Sequence, residues 1–208
     1  VLSPAQKKII DNDLRDFRLA GAELNEADKK RYKDIQQELS TLTSKFDENV
    51  LDATNGWHLA VEDEQRLAGL PESAVSAARQ AAQEKNLRGW IFTLHGPSYL
   101  PLMTYADDRE LRRQMYEAYV TRASEQGPNA GRWDNAAIIQ RLLRLRREKA
   151  RLLGYRDYAE LSLVTKMAQS TEEVLGFLRD LAARSHPAAR RELGRALDTL
   201  RGAGITVL

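Results

Sequence analysis

Six apolar residues place the strongest constraint on this chain. Ile35, Leu39, Leu42, Phe46, Val50 and Ala53 recur at steps of four, three, four, four and three, a rhythm that keeps them on one side of an α-helix. The spacing predicts one buried seam along a helix of about eight turns. Asn25 opens that helix, and Glu26 and Asp28 lie in its first turn, where their charge complements the dipole. A seam this long needs a partner, and the preceding segment offers one. Ser3-Pro4-Ala5-Gln6 reads as a helix start, with Ser at the N-cap, Pro at the first helical position and Gln closing a capping box. Ile10, Leu14 and Phe17 follow at helical spacing up to Gly21. The expected fold is mainly α, a multi-helix array starting with a long antiparallel helix hairpin.

After Asn55-Gly56 the texture changes. Residues 57–61, Trp-His-Leu-Ala-Val, and 90–94, Trp-Ile-Phe-Thr-Leu, place bulky side chains at alternate positions, as strands do. Isolated strands are not stable, so the two are expected to pair as one small β-hairpin, about 57–61 with 90–94. Between them an Ala-rich helix runs from Pro71 to about Lys85, with Asn86 as its stop. His95-Gly96-Pro97-Ser98 reads as a tight loop, and Tyr99 to Tyr105 as a short helix. Asp107 with Glu110 predicts a capping box for a helix buried through Leu111, Met115 and Ala118.

The longest break in helical texture is Ala118 to Asn135, where Gly127, Pro128, Asn129 and Gly131 crowd together. It ends on Trp133, followed by an Asp134 able to cap the next helix. Trp133 either packs the loop down or belongs to a surface that faces a ligand; the sequence leaves both open. Beyond it, Ile138, Leu142, Leu145 and Leu152 form another stripe up to Gly154. Asp157 with Glu160 and Ser170 with Glu173 start two further helices, the first ending near Lys166 and the second carrying Val174, Leu178 and Leu181. Pro187 is expected to break this last helix or start a new one, which runs to about Leu200.

The composition excludes several classes of function. With 208 residues the chain is one large domain or one and a half. Its 32 Lys and Arg against 30 Asp and Glu give a net charge of +2, too balanced for a general nucleic-acid or membrane partner. There is no cysteine, so disulfides, thiol catalysis and Cys-based zinc sites are ruled out. No run of about 18 apolar residues is present to span a membrane. The first residue is Val1 and not Met, so an excised fragment is expected.

No catalytic constellation emerges. The three histidines, His58, His95 and His186, stand apart, so none makes the i, i+4 pair of a zinc helix. G-P-N-A-G lacks the Lys-Ser/Thr of a phosphate loop, and no nucleophile elbow or dinucleotide fingerprint occurs. The acidic pairs fall where helices begin, and capping accounts for them. Arg144, Arg147 and Arg151 line up opposite the leucine stripe, which reads as a solvated face and not a nucleic-acid surface.

Several segments together carry a resemblance. Gly89 to Leu94, Pro97 to Tyr105, Tyr116 to Asn135, Leu153-Gly154-Tyr155, Tyr158 and Lys166-Met167-Ala168 agree in order and spacing with one family. From about Leu2 to Arg191 the chain resembles the oligopeptidase A and thimet oligopeptidase family of zinc metallopeptidases, most of all its bacterial members. The resemblance implies a helical fragment, residues 1–191, from the non-catalytic, N-terminal-side part of such an enzyme, followed by a divergent tail, 192–208. It implies a cytoplasmic parent that uses zinc-activated water and a Glu base to hydrolyse short peptides in a channel between two helical halves. H-E-x-x-H is absent, so no catalytic residue and no metal ligand is assigned here, and this chain alone is expected to be inactive. The resemblance leaves open an engineered fragment, a split gene or a frame-shifted product.

The implied role is scaffold and channel wall. His95, Ser98, Tyr99, Asn129, Arg132 and Trp133 are the candidates for lining the substrate channel. The implied partners are peptide substrates, the missing catalytic half and, through surface left bare, a second copy of the fragment. The alternative is a non-catalytic helical interaction or peptide-binding module.

Overall fold

The computed structural model describes residues 2–204; Val1 and Ile205 to Leu208, the apolar end of the expected tail, lie outside the described residues. The chain divides into two compact units, Lys30–Leu145 and a second made from Val1–Lys29 with Arg146–Leu208. Among the described residues there are eight α-helices and one two-stranded sheet.

Helix α1 (Pro4–Leu19) has the expected capping box between Ser3 and Gln6. Helix α2 (Glu26–Asn55) starts at an Asn25 whose Oδ1 accepts the Asp28 N–H at 2.9 Å. Its seam faces inward: Ile35 and Ala53 are buried, and Leu39, Leu42, Phe46 and Val50 are half-buried between them.

The central unit is built on the hairpin of β1 (His58–Val61) and β2 (Trp90–Thr93). The strands are antiparallel, with His58 opposite Thr93 and Val61 opposite Trp90. Each is one residue shorter than expected, lacking Trp57 and Leu94. The Thr93 N–H is taken by Ser98 Oγ at 2.9 Å, which turns the chain away from the sheet. Nor does β2 alternate: Trp90, Ile91 and Phe92 are all buried. Helix α3 (Glu72–Glu84) packs on β2 through small residues such as Ala78 and Ala82, so both faces of the strand are covered.

Helix α4 (Gly96–Tyr105) starts three residues before its expected position. The supposed loop His95-Gly96-Pro97-Ser98 is its first turn. Pro97 there needs no N–H, and the His95 carbonyl accepts the N–H groups of Ser98 and Tyr99 at 2.9 and 2.8 Å. Helix α5 (Arg109–Val120) is capped by Asp108 and not Asp107. The Asp107 N–H is committed to the Ala68 carbonyl at 2.9 Å. Asp108 accepts the Leu111 N–H at 3.0 Å and pairs with Arg66 at 2.6 Å. Leu102, Leu111, Met115 and Ala118 then pack with Trp90 and Phe92 into one core.

Helix α6 (Ala136–Leu152) buries Leu142 and Leu145 and leaves Arg144, Arg147 and Arg151 exposed. Arg141 of the basic run forms a bidentate pair with Glu38, at 2.5 and 2.7 Å. In the second unit, α7 (Tyr158–Leu163) stops before the expected Lys166. Helix α8 runs unbroken from Thr171 to Gly202, with Pro187 inside it. The expected break does not occur. Pro187 and Ala183, whose carbonyl loses its usual donor, are both exposed, so water can satisfy the freed group.

Two predictions follow from this packing. Met115→Ala, at a fully buried position, is expected to cost about 2–5 kcal/mol, whereas Leu143→Ala, at a position 59% exposed, should change stability by less than about 0.5 kcal/mol; urea unfolding measures both. The second concerns pH. Hydrogen bonds from Arg66 and then the Leu111 N–H hold the Asp108 carboxyl below its ordinary range. Arg113 and Gln114 lower Glu110 to about 2. Both groups have folded pKa values below their unfolded ones, so their contribution is complete above the unfolded pKa, near 4, and is lost as pH falls through the folded value. The urea midpoint should therefore fall on acidification below about pH 4, and Arg66→Met should flatten part of that fall.

Candidate functional site

The sequence candidates fall in two places, the start of α4 and the loop after α5. That loop is shorter than the sequence suggested, because α5 continues to Val120 and leaves residues 121–135. Tyr99 joins the two places. Its ring stacks on Tyr119 of α5 with centroids 4.0 Å apart and planes 23° from parallel. The Arg122 guanidinium lies 3.9 Å from the centre of the same Tyr119 ring. A ring has two faces and neither group leaves room for the other, so Tyr119 is sandwiched between them. Arg122 donates from Nη1 to Thr54 Oγ1 at 2.9 Å and from Nε to the Tyr119 carbonyl at 3.0 Å. Burial raises the Tyr99 phenol pKa; Tyr119 and Tyr116 add to the rise and Arg122 opposes it.

Thr54 lies in the last turn of α2, and Trp133 reaches the same turn. A Cβ placed on Gly56 would come within 2.2 Å of Trp133 Cη2, so only glycine lets the indole sit there. The outer side of that indole carries Arg132, 4.2 Å from the ring centre. Arg132 is exposed; Asn129 is half-buried, and its carbonyl accepts the Arg132 N–H at 3.1 Å. Gly127 has φ +80°, and a Cβ there would meet Thr121 Oγ1 at 1.9 Å. The loop is folded back on itself.

The residue that fixes the loop was absent from the sequence candidates. Asn135 is buried, and its Oδ1 accepts from Asn49 Nδ2 at 2.8 Å. Its Nδ2 donates to the Phe46 carbonyl at 3.1 Å, and its backbone N–H to the Ala123 carbonyl at 2.9 Å. Asp134 accepts the Ala136 N–H at 2.7 Å, one position before the residue that opens α6, Asn135, whose carbonyl takes the Ile139 N–H at 2.8 Å. A signal for this joint existed. Asn49 stands three residues after Phe46 and four before Ala53, a polar residue inside an apolar seam.

His95 and Ser98 are placed differently. They line a shallow groove of about 170 Å³ between the alanines of α3 and strand β2. The His95 side chain is exposed and makes no capping hydrogen bond. The second unit holds a larger cavity of about 340 Å³, where Tyr155, Arg156, Glu160 and Lys166 meet the start of α8. Its charges are mixed, and Arg156 already contacts Asp157 and Glu172 at 3.3 and 3.5 Å.

Among the described residues no group of three or more His, Asp or Glu side chains could hold a metal ion. Zinc chemistry therefore does not fit the side chains described here. No helix among them is long and apolar enough to cross a membrane.

Comparison with known proteins agrees with the motif resemblance. The model of peptidase family M3 matches residues 102–202. Oligopeptidase A of Haemophilus influenzae is 56% identical over 191 residues, covering 92% of this chain and 28% of the relative. Oligopeptidase A of Escherichia coli is 52% identical over 194 residues, again 28% of the relative's length. The dipeptidyl carboxypeptidase of Escherichia coli is 38% identical over 185 residues, 26% of its length. The chain thus spans little more than a quarter of these curated relatives.

The buried amide joint can be tested directly. Asn135→Ala leaves the Asn49 amide without its partner and removes the second donor to the Phe46 carbonyl, and should cost about 1–3 kcal/mol, the range for one stranded buried group. Replacing both asparagines by leucine should recover part of that loss. Equilibrium unfolding of Asn49→Leu, Asn135→Leu and the double variant measures the coupling.

Proposed function

The chain belongs to peptidase family M3, in the oligopeptidase A group, and from that premise we propose that it is a segment of a zinc-dependent oligopeptidase acting on short peptides. In this reading it contributes scaffold and channel wall, and the zinc site belongs to residues outside this sequence. One observation carries the reading: more than half of the aligned residues are identical to oligopeptidase A across 92% of this chain, yet the match is only 28% of that enzyme. The locked state of the candidates supports the wall role: Ser98, Tyr99 and Trp133 are each engaged by another part of the chain, as wall residues would be.

His95, Arg132 and Asn129 are the candidates left nearest to solvent, and any contact with peptide is assigned to them and to the rim of the Tyr99–Tyr119–Arg122 stack. The substrates are short peptides, the partner is the catalytic half of the enzyme, and the compartment is the cytoplasm.

A second reading is favoured by a separate observation. Helices α1 and α8 bury none of their residues, and Leu14, Phe17, Leu178 and Leu181 are half or more exposed. Apolar surface of this kind suits a non-catalytic interaction module.

The purified chain, supplied with zinc and a quenched fluorescent oligopeptide, is expected to show no hydrolysis above the protein-free rate. Cleavage that depends on zinc and disappears with a chelator would overturn the assignment of catalysis to other residues.

A further inference from the structure

The last turn of α2 holds a chemically labile pair at the point where the loop before α6 is anchored. Asn55-Gly56 is the one Asn-Gly pair in the chain. In such a pair the glycine nitrogen can attack the asparagine Cγ, because no side chain on the glycine blocks its approach. Asn55 is exposed, and among the described residues no hydrogen bond ties its side-chain amide. The electrophile is therefore free, and the nucleophile is the group that is held. The Gly56 N–H donates to the Asp52 carbonyl at 2.7 Å, and Asn55 is the last residue of α2. Helical backbone at Asn55 directs that nitrogen along the axis, away from the side-chain amide. A cyclic imide closes only after this turn has opened.

We propose that Asn55 is a deamidation site guarded by Trp133, and that its conversion releases the loop that Trp133 anchors. The indole covers Gly56 so closely that a Cβ there would lie 2.2 Å from Trp133 Cη2 and 2.9 Å from the Asp52 carbonyl oxygen. The packing that demands glycine after Asn55 thus creates the labile pair and also shields it. Arg122 holds the same turn through Thr54 Oγ1, at 2.9 Å. Local opening of a turn is an equilibrium, and the rate of a reaction confined to the open state follows the open fraction.

Water is the only co-reactant the chemistry needs. The Gly56 nitrogen gives up its proton and bonds to Asn55 Cγ, and the side-chain nitrogen leaves as ammonia. Water then opens the imide. Breaking the new bond to Cγ gives aspartate; breaking the original bond to the backbone carbonyl carbon routes the main chain through Cβ and Cγ, as isoaspartate. Both products put a carboxylate at the C-terminal end of α2, where the helix dipole opposes negative charge. No basic residue lies in that last turn, and Asp52 stands three positions before. Isoaspartate also lengthens the main chain by a methylene, so the Gly56 N–H loses its register with Asp52 and Gly56 moves from under the indole. Neither step depends on peptidase function, and either reading can fail without the other.

The full chain is incubated at mildly alkaline pH and sampled over time by peptide mass spectrometry, with enzymatic methylation to count isoaspartate. The native chain should convert Asn55 at least about tenfold more slowly than the same chain unfolded in urea. Trp133→Leu, checked for folding by circular dichroism, should raise the native rate at least about tenfold. Thr54→Val, which removes only the hydroxyl tie to Arg122, opens the turn more gently and should also raise it. The purified isoaspartate form should unfold at lower urea than Asn55→Asp, which carries the charge without the longer main chain. Equal rates in the native and unfolded chains overturn the proposal. So do a folded Trp133→Leu and a Thr54→Val that both convert at the unsubstituted rate, or an isoaspartate form as stable as Asn55→Asp.

Discussion

The arrangement of the central unit depends on one buried hydrogen-bonded pair, Asn49 with Asn135. An amide inside an apolar seam is costly unless its donors and acceptors are met. Asn49 is therefore tolerable only if a distant part of the chain returns to it. Asn135 does so across 86 positions, and its own amide continues to the Phe46 carbonyl. Once that contact is made, the loop before Asn135 has little freedom. Trp133 must lie on the last turn of α2, where Gly56 makes room, and Arg122 reaches Thr54 in the same turn. The end of α2 thus anchors the loop from two directions, and Tyr119 passes the constraint on to Tyr99 and α4.

Features that depend on local chemistry were legible in the sequence. The caps at Ser3, Asn25, Asp157 and Ser170 are where the residue types place them, because a cap is decided within four positions. The seam of α2 and the pairing of two short strands were legible for a similar reason: periodicity survives whatever packs against it. What failed were decisions made by distant residues. Asp107 and Asp108 are equally good caps in isolation; the choice follows from the Ala68 carbonyl and Arg66, some forty positions earlier. The three successive buried residues of β2 reflect the alanines of α3, and no alternation rule foresees them.

The candidate site illustrates the same division. Trp133 and Tyr99 stood out as large aromatics in turn-rich sequence, and both prove to be packed. Asn49 and Asn135 did not stand out, because asparagine in helical or loop sequence is usually unremarked, and only their meeting reveals a role. Much of the family resemblance is carried by residues of this kind, engaged with one another in the fold. Relationship to the M3 peptidases is therefore easy to recognise here, because such engaged residues keep their order and spacing along the chain.

Helix α8 poses the opposite problem, a long element with little to hold it. Thirty-two residues are enough for helix formation, yet in water most helical stability comes from packing an apolar face. This helix has such a face and buries none of its residues. It also contains Pro187, which costs about 3 kcal/mol in a helix interior. Leu178 and Leu181 lie on the side of the helix away from Pro187 and are half exposed. The stability of α8 as a continuous helix therefore rises when that side is covered.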